Sequence, residues 1–421
     1  MFSGSVFAQN MASENVFFTL EECLAHAFGN NYNYLSQLLS EETKEDSYEQ
    51  AKRDRLPNLN ASVSESWNNS KGVASSFGGN VGLSTGVTLY QGGTIDNTIA
   101  QAKLSMEQSK YQTTQYENDL TIQILQAFLS VLGNEELLKI QDAVLKTSEE
   151  QLSQGEKQFR VGKILESDYL MLEAQYASDK NNIVDTEITR DNSLLSLKRL
   201  LSMDPDVNLK IIYPDTSTVQ RMALIPNRNS VIERAMATLP DLNISRYNVD
   251  IAQVGVKLSQ AGYYPTVSLN GNIGANHRDF NNLGNDFSNS LNESISLSVS
   301  IPIFDKGRTK SRVTQSKISL LQAEYNREQT ELNTRQTLIQ EYQNVVSAYS
   351  RFQATEVKHN AYQKTYEVYS ARFNAGSITA VELLQQQNNY INVLNDYIQS
   401  KYGFILKRKI LDVYMGEKIT M

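Results

Sequence analysis

The sequence predicts an α+β membrane protein: a barrel of long antiparallel helices joined to a β-barrel that several chains share, four strands from each, with the protomer itself duplicated in tandem. Three observations predict it. Four segments alternate apolar and small polar residues with a period of two. Two long helical runs each end at a glycine and return as a shorter helical run. A constant offset relates the halves: 307 − 93, 325 − 111, 373 − 159, 376 − 162 and 378 − 164 all give 214. These subtractions pair Gly307 with Gly93, Tyr325 with Tyr111, Phe373 with Phe159, Gly376 with Gly162 and Ile378 with Ile164.

The clearest strand is 291–303, L-N-E-S-I-S-L-S-V-S-I-P-I. Ile295, Leu297, Val299 and Ile301 fall on one face and Ser294, Ser296, Ser298 and Ser300 on the other. Small uncharged residues opposite an apolar row suit a wall with lipid on one side and water on the other, and the length fits the roughly 9–11 residues a tilted strand needs to cross a bilayer. Segments 80–90 and 266–277 repeat the pattern. In 58–68 it is interrupted by Glu65, expected near the rim or against a neighbouring chain. Aromatics gather at the ends: Tyr90, Tyr263, Tyr264 and Phe304 at one, Trp67, Phe77, Phe280 and Phe287 at the other. Four strands cannot close a barrel, since about eight is the minimum. Three chains would give twelve.

Composition bounds the alternatives. Of 421 residues 40% are hydrophobic, and no run of 18 apolar residues offers a membrane-spanning helix. A net charge of −8 lacks the basic footprint that nucleic acid requires. The single cysteine, Cys23, excludes an internal disulfide and a cysteine-based zinc site, and Glu21-Glu22 before it argue against a lipid anchor there.

In chain order, residues 1–18 form an N-terminal segment in which Val6-Phe7-Ala8 before Gln9 fits the tail of a signal peptide. Repeat 1 covers 19–202. A Thr19-Leu20-Glu21-Glu22 capping box opens a helix to about Arg55, strands follow at 58–68 and 80–90, and Gly92-Gly93 turns the chain into a helix from Ile95 to Phe159. Leu138, Leu145, Leu152 and Phe159 recur every seven residues, as in a coiled coil. After Gly162 a return helix runs from Ile164 to Leu201. The linker 203–228 carries Pro205, Pro214 and Pro226. Repeat 2 covers 229–412: Ser230-Val231-Ile232-Glu233 as a second capping box, a helix to Gln260, strands 266–277 and 291–303, Gly307, a long helix to Phe373, a turn at Gly376 and a return helix to Leu411. Residues 413–421 form a tail. At 1.5 Å per residue the first long helix would span about 97 Å, its return about 57 Å and the helix before the strands about 54 Å, so two short helices stacked end to end would match a long one.

Several motifs carry a resemblance. Ile303-Phe304-Asp305-Lys306-Gly307-Arg308, leaving a strand and entering a helix, with Leu89-Tyr90-Gln91-Gly92-Gly93 as its echo, resembles the strand-to-helix signature of TolC-like outer membrane efflux proteins. Phe-x-x-Gly-x-Ile at 159–164 and 373–378 resembles that family's tip turns. Asn30-Asn31-Tyr32 and Leu239-Pro240-Asp241-Leu242 resemble its helix starts. The resemblance implies a homotrimer with a twelve-stranded barrel in outer membrane lipid and a twelve-helix periplasmic tunnel. It also implies a tip held shut until it docks a periplasmic adaptor and an inner-membrane transporter, RND-type or ATP-driven. It places Asp168, Glu382, Gln385, Phe373 and Ile378 at the gate. Arg160, Val161, Gly162, Lys163, Asn374, Ala375, Gly376 and Ser377 become the adaptor-docking tip. Phe373, Ile378 and Gln385 stand where the family can have a tyrosine, an arginine and a second acid, so closure here is expected to rest more on packing.

Plainer readings stand beside these. Glu382 would line a cation-favouring constriction, yet Thr379-Ala380-Val381-Glu382 is also a capping box. Gly162 and Gly376 are first of all left-handed helix caps. His359 lies on the row Phe352, His359, Tyr366, Phe373 and reads as a packing residue. Gly155 to Lys163 lacks the spacing of a phosphate loop. No nucleophile, base and orienting group stand at readable spacing, so neither an enzyme, a cofactor nor a metal is expected. The function implied is a passive exit duct for small molecules. The other readings are a similar duct for type I protein secretion and, in a different class, a coiled-coil scaffold outside any membrane.

Overall fold

The computed structural model describes residues 16–213, 224–277, 290–417 and 419. Strand β1 (Val16–Phe18) precedes helices α1 (Leu20–Asn30) and α2 (Tyr32–Arg53), strands β2 (Asn58–Ser70) and β3 (Val73–Gln91), and helices α3 (Thr94–Arg160) and α4 (Glu166–Leu200). A short strand β4 (Leu209–Ile211) leads to the second repeat: α5 (Arg228–Thr238), α6 (Pro240–Gln260), β5 (Thr266–His277), β6 (Asn292–Ser300), α7 (Arg308–Asn374) and α8 (Ala380–Tyr414). The long helices both have 67 residues and the return helices both have 35, at the 214 offset read from the sequence.

Thr19 caps α1 with the expected box: its hydroxyl accepts from Glu22 N–H at 3.2 Å and Glu22 Oε2 accepts from Thr19 N–H at 2.7 Å. The expected single helix to Arg55 is broken. Asn31 is extended (φ −68°, ψ 114°), its Oδ1 taking Tyr34 N–H and its amide donating to Leu200 O, so Asn31 starts α2. The second repeat breaks at Leu239, where Pro240 forces the residue before it out of the helical region and occupies the first turn of α6. Ser230 to Glu233 is not a capping box. The cap is Asn227, whose side chain accepts from Asn229 N–H, leaving Ser230 inside α5.

The described sheet runs β2-β3-β5-β6, every pair antiparallel. Its register confirms the two faces: Ala61, Leu83, Ile273 and Glu293 stand abreast, as do Asn60, Ser84, Asn272 and Ser294. The first hairpin is longer than predicted. The stretch expected as a loop pairs up to a turn at Lys71-Gly72, Gly72 taking φ +88°. β6 stops at Ser300, short of Ile303, because Pro302 has no N–H for a ladder. Glu65 faces Gly79 of β3, and its Oε1 lies 2.7 Å from Nε2 of His277 on β5. A Cβ on Gly79 would come within 2.5 Å of that carboxylate, so the glycine clears the path. Phe280 and Phe287 lie outside the described residues.

The N-terminal segment and the linker meet. Val16–Phe18 pairs in parallel with Leu209–Ile211, so each contributes a strand to the same small sheet. Of the tail 413–421, Tyr414 still belongs to α8, Gly416 (φ +73°) ends that helix, and Val413, Met415 and Ile419 are buried.

Two compact units cut across the repeats. One comprises Met1–Gln37, Thr114–Leu239 and Leu332–Met421, the other Leu38–Thr113 and Pro240–Glu331. The reason is that the repeats pack on each other. In the first unit Phe128, Leu132 and Leu197 share one core with Val345, Phe404 and Leu411. In the second, β3 pairs with β5, and Tyr111 of α3 lies 5.6 Å from Tyr247 of α6. Cys23 is fully buried in the first core, where burial and then the nearby Glu22 and Glu21 push its thiol up to about 12.

Candidate functional site: the helix reversals and strand–helix junctions

Both reversals are left-handed glycine caps with paired return bonds. After α3, Gly162 (φ +73°) donates to Phe159 O at 2.9 Å and Lys163 to Gln158 O at 2.8 Å. After α7, Gly376 (φ +76°) donates to Phe373 O at 2.8 Å and Ser377 to Arg372 O at 3.0 Å. A Cβ on either glycine would meet nothing within 4 Å, so conformation and not crowding demands glycine here.

Chemically the two reversals differ. Val161 and Leu165 are 70% and 71% exposed beside Arg160 and Lys163, and Arg160 pairs with Glu156. At the second, the exposed residues are Asn374, Ala375, Gly376 and Ser377, and Asn374 O accepts from Gln154 of α3 at 3.1 Å. Phe159 is half exposed and stacks on Tyr169 at 5.6 Å, whereas Phe373 is buried with Val144, Leu172, Tyr366, Leu383 and Tyr390, and Ile378 packs against that cluster.

The acidic candidates divide likewise. Thr379 and Glu382 form a capping box, Glu382 Oε2 taking Thr379 N–H at 2.9 Å, and the bonds from Thr379 hold the exposed carboxyl below its usual range. Asp168 holds the matching place on α4, but the cap residue there is Leu165, which has no side-chain oxygen to offer. Gln385 is exposed and donates to Asn389 Oδ1 at 3.3 Å.

The strand–helix junctions also need left-handed backbone. Gly92 (φ +59°) and Gly93 (φ +81°) correspond to Lys306 (φ +59°) and Gly307 (φ +78°). At Gly92 a Cβ would lie 2.7 Å from Ala261 O, so glycine is required sterically, while Asp305 steadies its own turn by accepting from Gly307 and Thr309 N–H.

Sequence reasoning missed one group. Leu172, Asp179 and Thr186 are buried at seven-residue spacing on α4, and Asp179 meets Ser148 of α3 and Gln387 of α8 in the interior. The spacing is visible in the sequence. That a polar residue on it is buried is not.

The outer membrane efflux protein family profile matches residues 26–202 and 231–417. Outer membrane protein TolC of Vibrio cholerae is 22% identical over 355 residues, 80% of each chain. Alkaline protease secretion protein AprF of Pseudomonas aeruginosa is 21% identical over 319 residues, 76% of this chain and 65% of that protein. Among solved structures, the outer membrane protein VceC of Vibrio cholerae superposes with a TM-score of 0.76 at 15% identity, over 95% of this chain and 97% of the other. With the duplicated 67- and 35-residue helices, the four-stranded sheet and a profile match over most of its length, this chain belongs to the outer membrane efflux protein family.

Proposed function

We propose that the chain is the outer membrane component of a tripartite efflux system, a passive duct through which small molecules handed on by an inner-membrane transporter and a periplasmic adaptor leave the cell. The observation that carries this is the open sheet. Its edge strands β2 and β6 are exposed on both faces, whereas the central β3 and β5 are largely half-buried. An open sheet with a largely apolar face calls for partners along both edges, and three copies would close a twelve-stranded barrel. Val346, Val357 and Val368, exposed at eleven-residue intervals along α7, fit the same assembly by offering an apolar row to a neighbouring copy. The gate would comprise Asp168, Glu382, Gln385, Phe373 and Ile378, and the adaptor would dock on residues 160–163 and 374–377.

Light scattering of the detergent-solubilised chain should give three copies, and planar bilayers should show discrete conductance steps. A monomer that stays soluble without detergent and makes no channel would overturn the reading. In the same bilayers Glu382→Gln should weaken cation preference if Glu382 lines the constriction, and unchanged selectivity would leave it only its capping role. A second reading, a duct for type I protein secretion, is favoured by the likeness to AprF. Deleting the gene should raise drug susceptibility under the first reading and abolish export of a secreted protein under the second.

A further inference from the structure

Above the reversals, a buried carboxylate is held by neutral groups from three helices. Asp179 of α4 is 3% exposed. Its Oδ2 accepts from the Ser148 hydroxyl of α3 and from Gln387 Nε2 of α8 at 2.8 Å, and its Oδ1 accepts from Gln175 Nε2, one turn away on α4, at 2.8 Å. Gln387 is fully buried, donates also to Ser148 Oγ at 3.0 Å, and its own Oε1 has no donor. The titratable groups on that side are phenols: Tyr366 of α7, which accepts from Gln151 of α3 at 3.3 Å, and Tyr390 of α8, stacked on Tyr366. A cavity of about 10 Å³, room for roughly one water molecule, adjoins Asp179 and is lined also by Asn182 and Gln141.

Three neutral hydrogen bonds stabilise a carboxylate, but they do not replace the hydration it loses. Burial is the larger influence and holds the Asp179 carboxyl above its usual range. With a proton on Asp179 Oδ2, that proton is donated to Ser148 Oγ in place of the bond Oδ2 now accepts, while Gln387 Nε2 keeps its bonds to Oδ2 and Ser148 Oγ and Gln175 keeps its bond to Oδ1. No net charge is then buried.

We propose that Asp179, Gln387 and Ser148 form a proton-operated clasp that ties α8 of the second repeat to α3 and α4 of the first, closed when Asp179 is protonated and loosened when the proton leaves for solvent. The clasp regulates the gate proposed above and rests on that reading only for its consequence, not for its existence. The sign follows from the raised value: the tie is strongest below the ordinary carboxylate range, weakens as pH rises from there through the folded-state value, and is flat above it. One proton limits the change in the opening equilibrium to about tenfold per pH unit.

Hydrogen exchange of the full chain in detergent, corrected for chemical exchange rates, tests it over segments 144–152, 175–183 and 383–391. Protection should fall about tenfold or more between roughly pH 4 and pH 8. Asp179→Asn, which imitates the protonated acid, should stay protected throughout. Infrared difference spectra over the same range should show a buried carboxyl band that titrates and is missing in Asp179→Asn. The proposal is overturned if Asp179→Asn keeps the wild-type pH response, or if no such band titrates. Failure to conduct in planar bilayers would count against the gate alone, since the exchange and infrared results do not depend on a channel.

Discussion

The coil of α7 and α8 and the coil of α3 and α4 share one backbone plan and finish it oppositely. Phe352, His359 and Tyr366 of α7 interleave with Phe404, Tyr397 and Tyr390 of α8, successive rings standing 4.8 to 6.0 Å apart. The matching seats on α3 are Leu138, Leu145 and Leu152. Along its length α8 is buried by its own chain, whereas α4 buries Leu172, Asp179, Thr186 and Leu197 and leaves Val184, Ile188 and Leu195 exposed. After a duplication, helix length and reversal geometry have persisted while burial has been redistributed. The return helix α8 is covered by an aromatic core of its own chain, whereas the return helix α4 keeps apolar surface for a partner.

The largest effects should separate the two seams. Phe404→Ala and Phe373→Ala, at fully buried rings, should each cost about 3–5 kcal/mol in denaturant titrations, and Phe159→Ala, at a half-exposed ring stacked on Tyr169, only about 1 kcal/mol. Equal losses at 159 and 373 would break the comparison. Next, Gly92→Ala should cost about 2–3 kcal/mol through both conformation and the clash with Ala261 O, against about 1 kcal/mol for Gly162→Ala, where the space is open. The caps come third. Thr379→Ala should lose about 1 kcal/mol, and Leu165→Thr, which sets a capping hydroxyl three residues before Asp168, should gain about half that. Because the Glu382 carboxyl is held below its usual range, its part in the Thr379 cap should persist above the ordinary carboxylate range and vanish as pH falls through its folded value. Thermal melts of wild type and Glu382→Gln should therefore converge in acid. Smallest of all, Ser202 occupies a left-handed cap (φ +52°) where the second repeat has Gly416, and Ser202→Gly should raise the melting temperature slightly, by about 0.5 kcal/mol of stability.

Much of the fold was legible because it is written in periods. The two-residue alternation located the four strands, and the 214 offset located two helix pairs whose lengths agree residue for residue. Asn31 and Leu239 show what periodicity misses: a single extended residue splits a helix without disturbing the apolar pattern on either side. The pairing of Val16–Phe18 with Leu209–Ile211 was illegible for another reason, since three residues that meet across most of a repeat leave no local trace. At the reversals the glycines and capping box were readable, but the burial of Phe373 beside the exposure of Phe159 depends on what the other repeat brings against them. Asp179 is the sharpest case, an acidic residue whose buried neighbours only the folded chain reveals.

The repeat also changes step once. The helix starts at Tyr32 and Pro240 and the strand starts at Asn58 and Thr266 differ by 208, whereas Thr94 and Arg308 differ by 214, so between the start of the hairpin and the long helix the second repeat is six residues longer than the first. Length has been free to vary there and nowhere else between those markers. The short exposed turn at Lys71-Gly72 is the equivalent place in the first hairpin. A peptide epitope spliced into that turn should leave the helical register untouched, giving a handle by which antibodies could find the protein on the surface of unbroken cells.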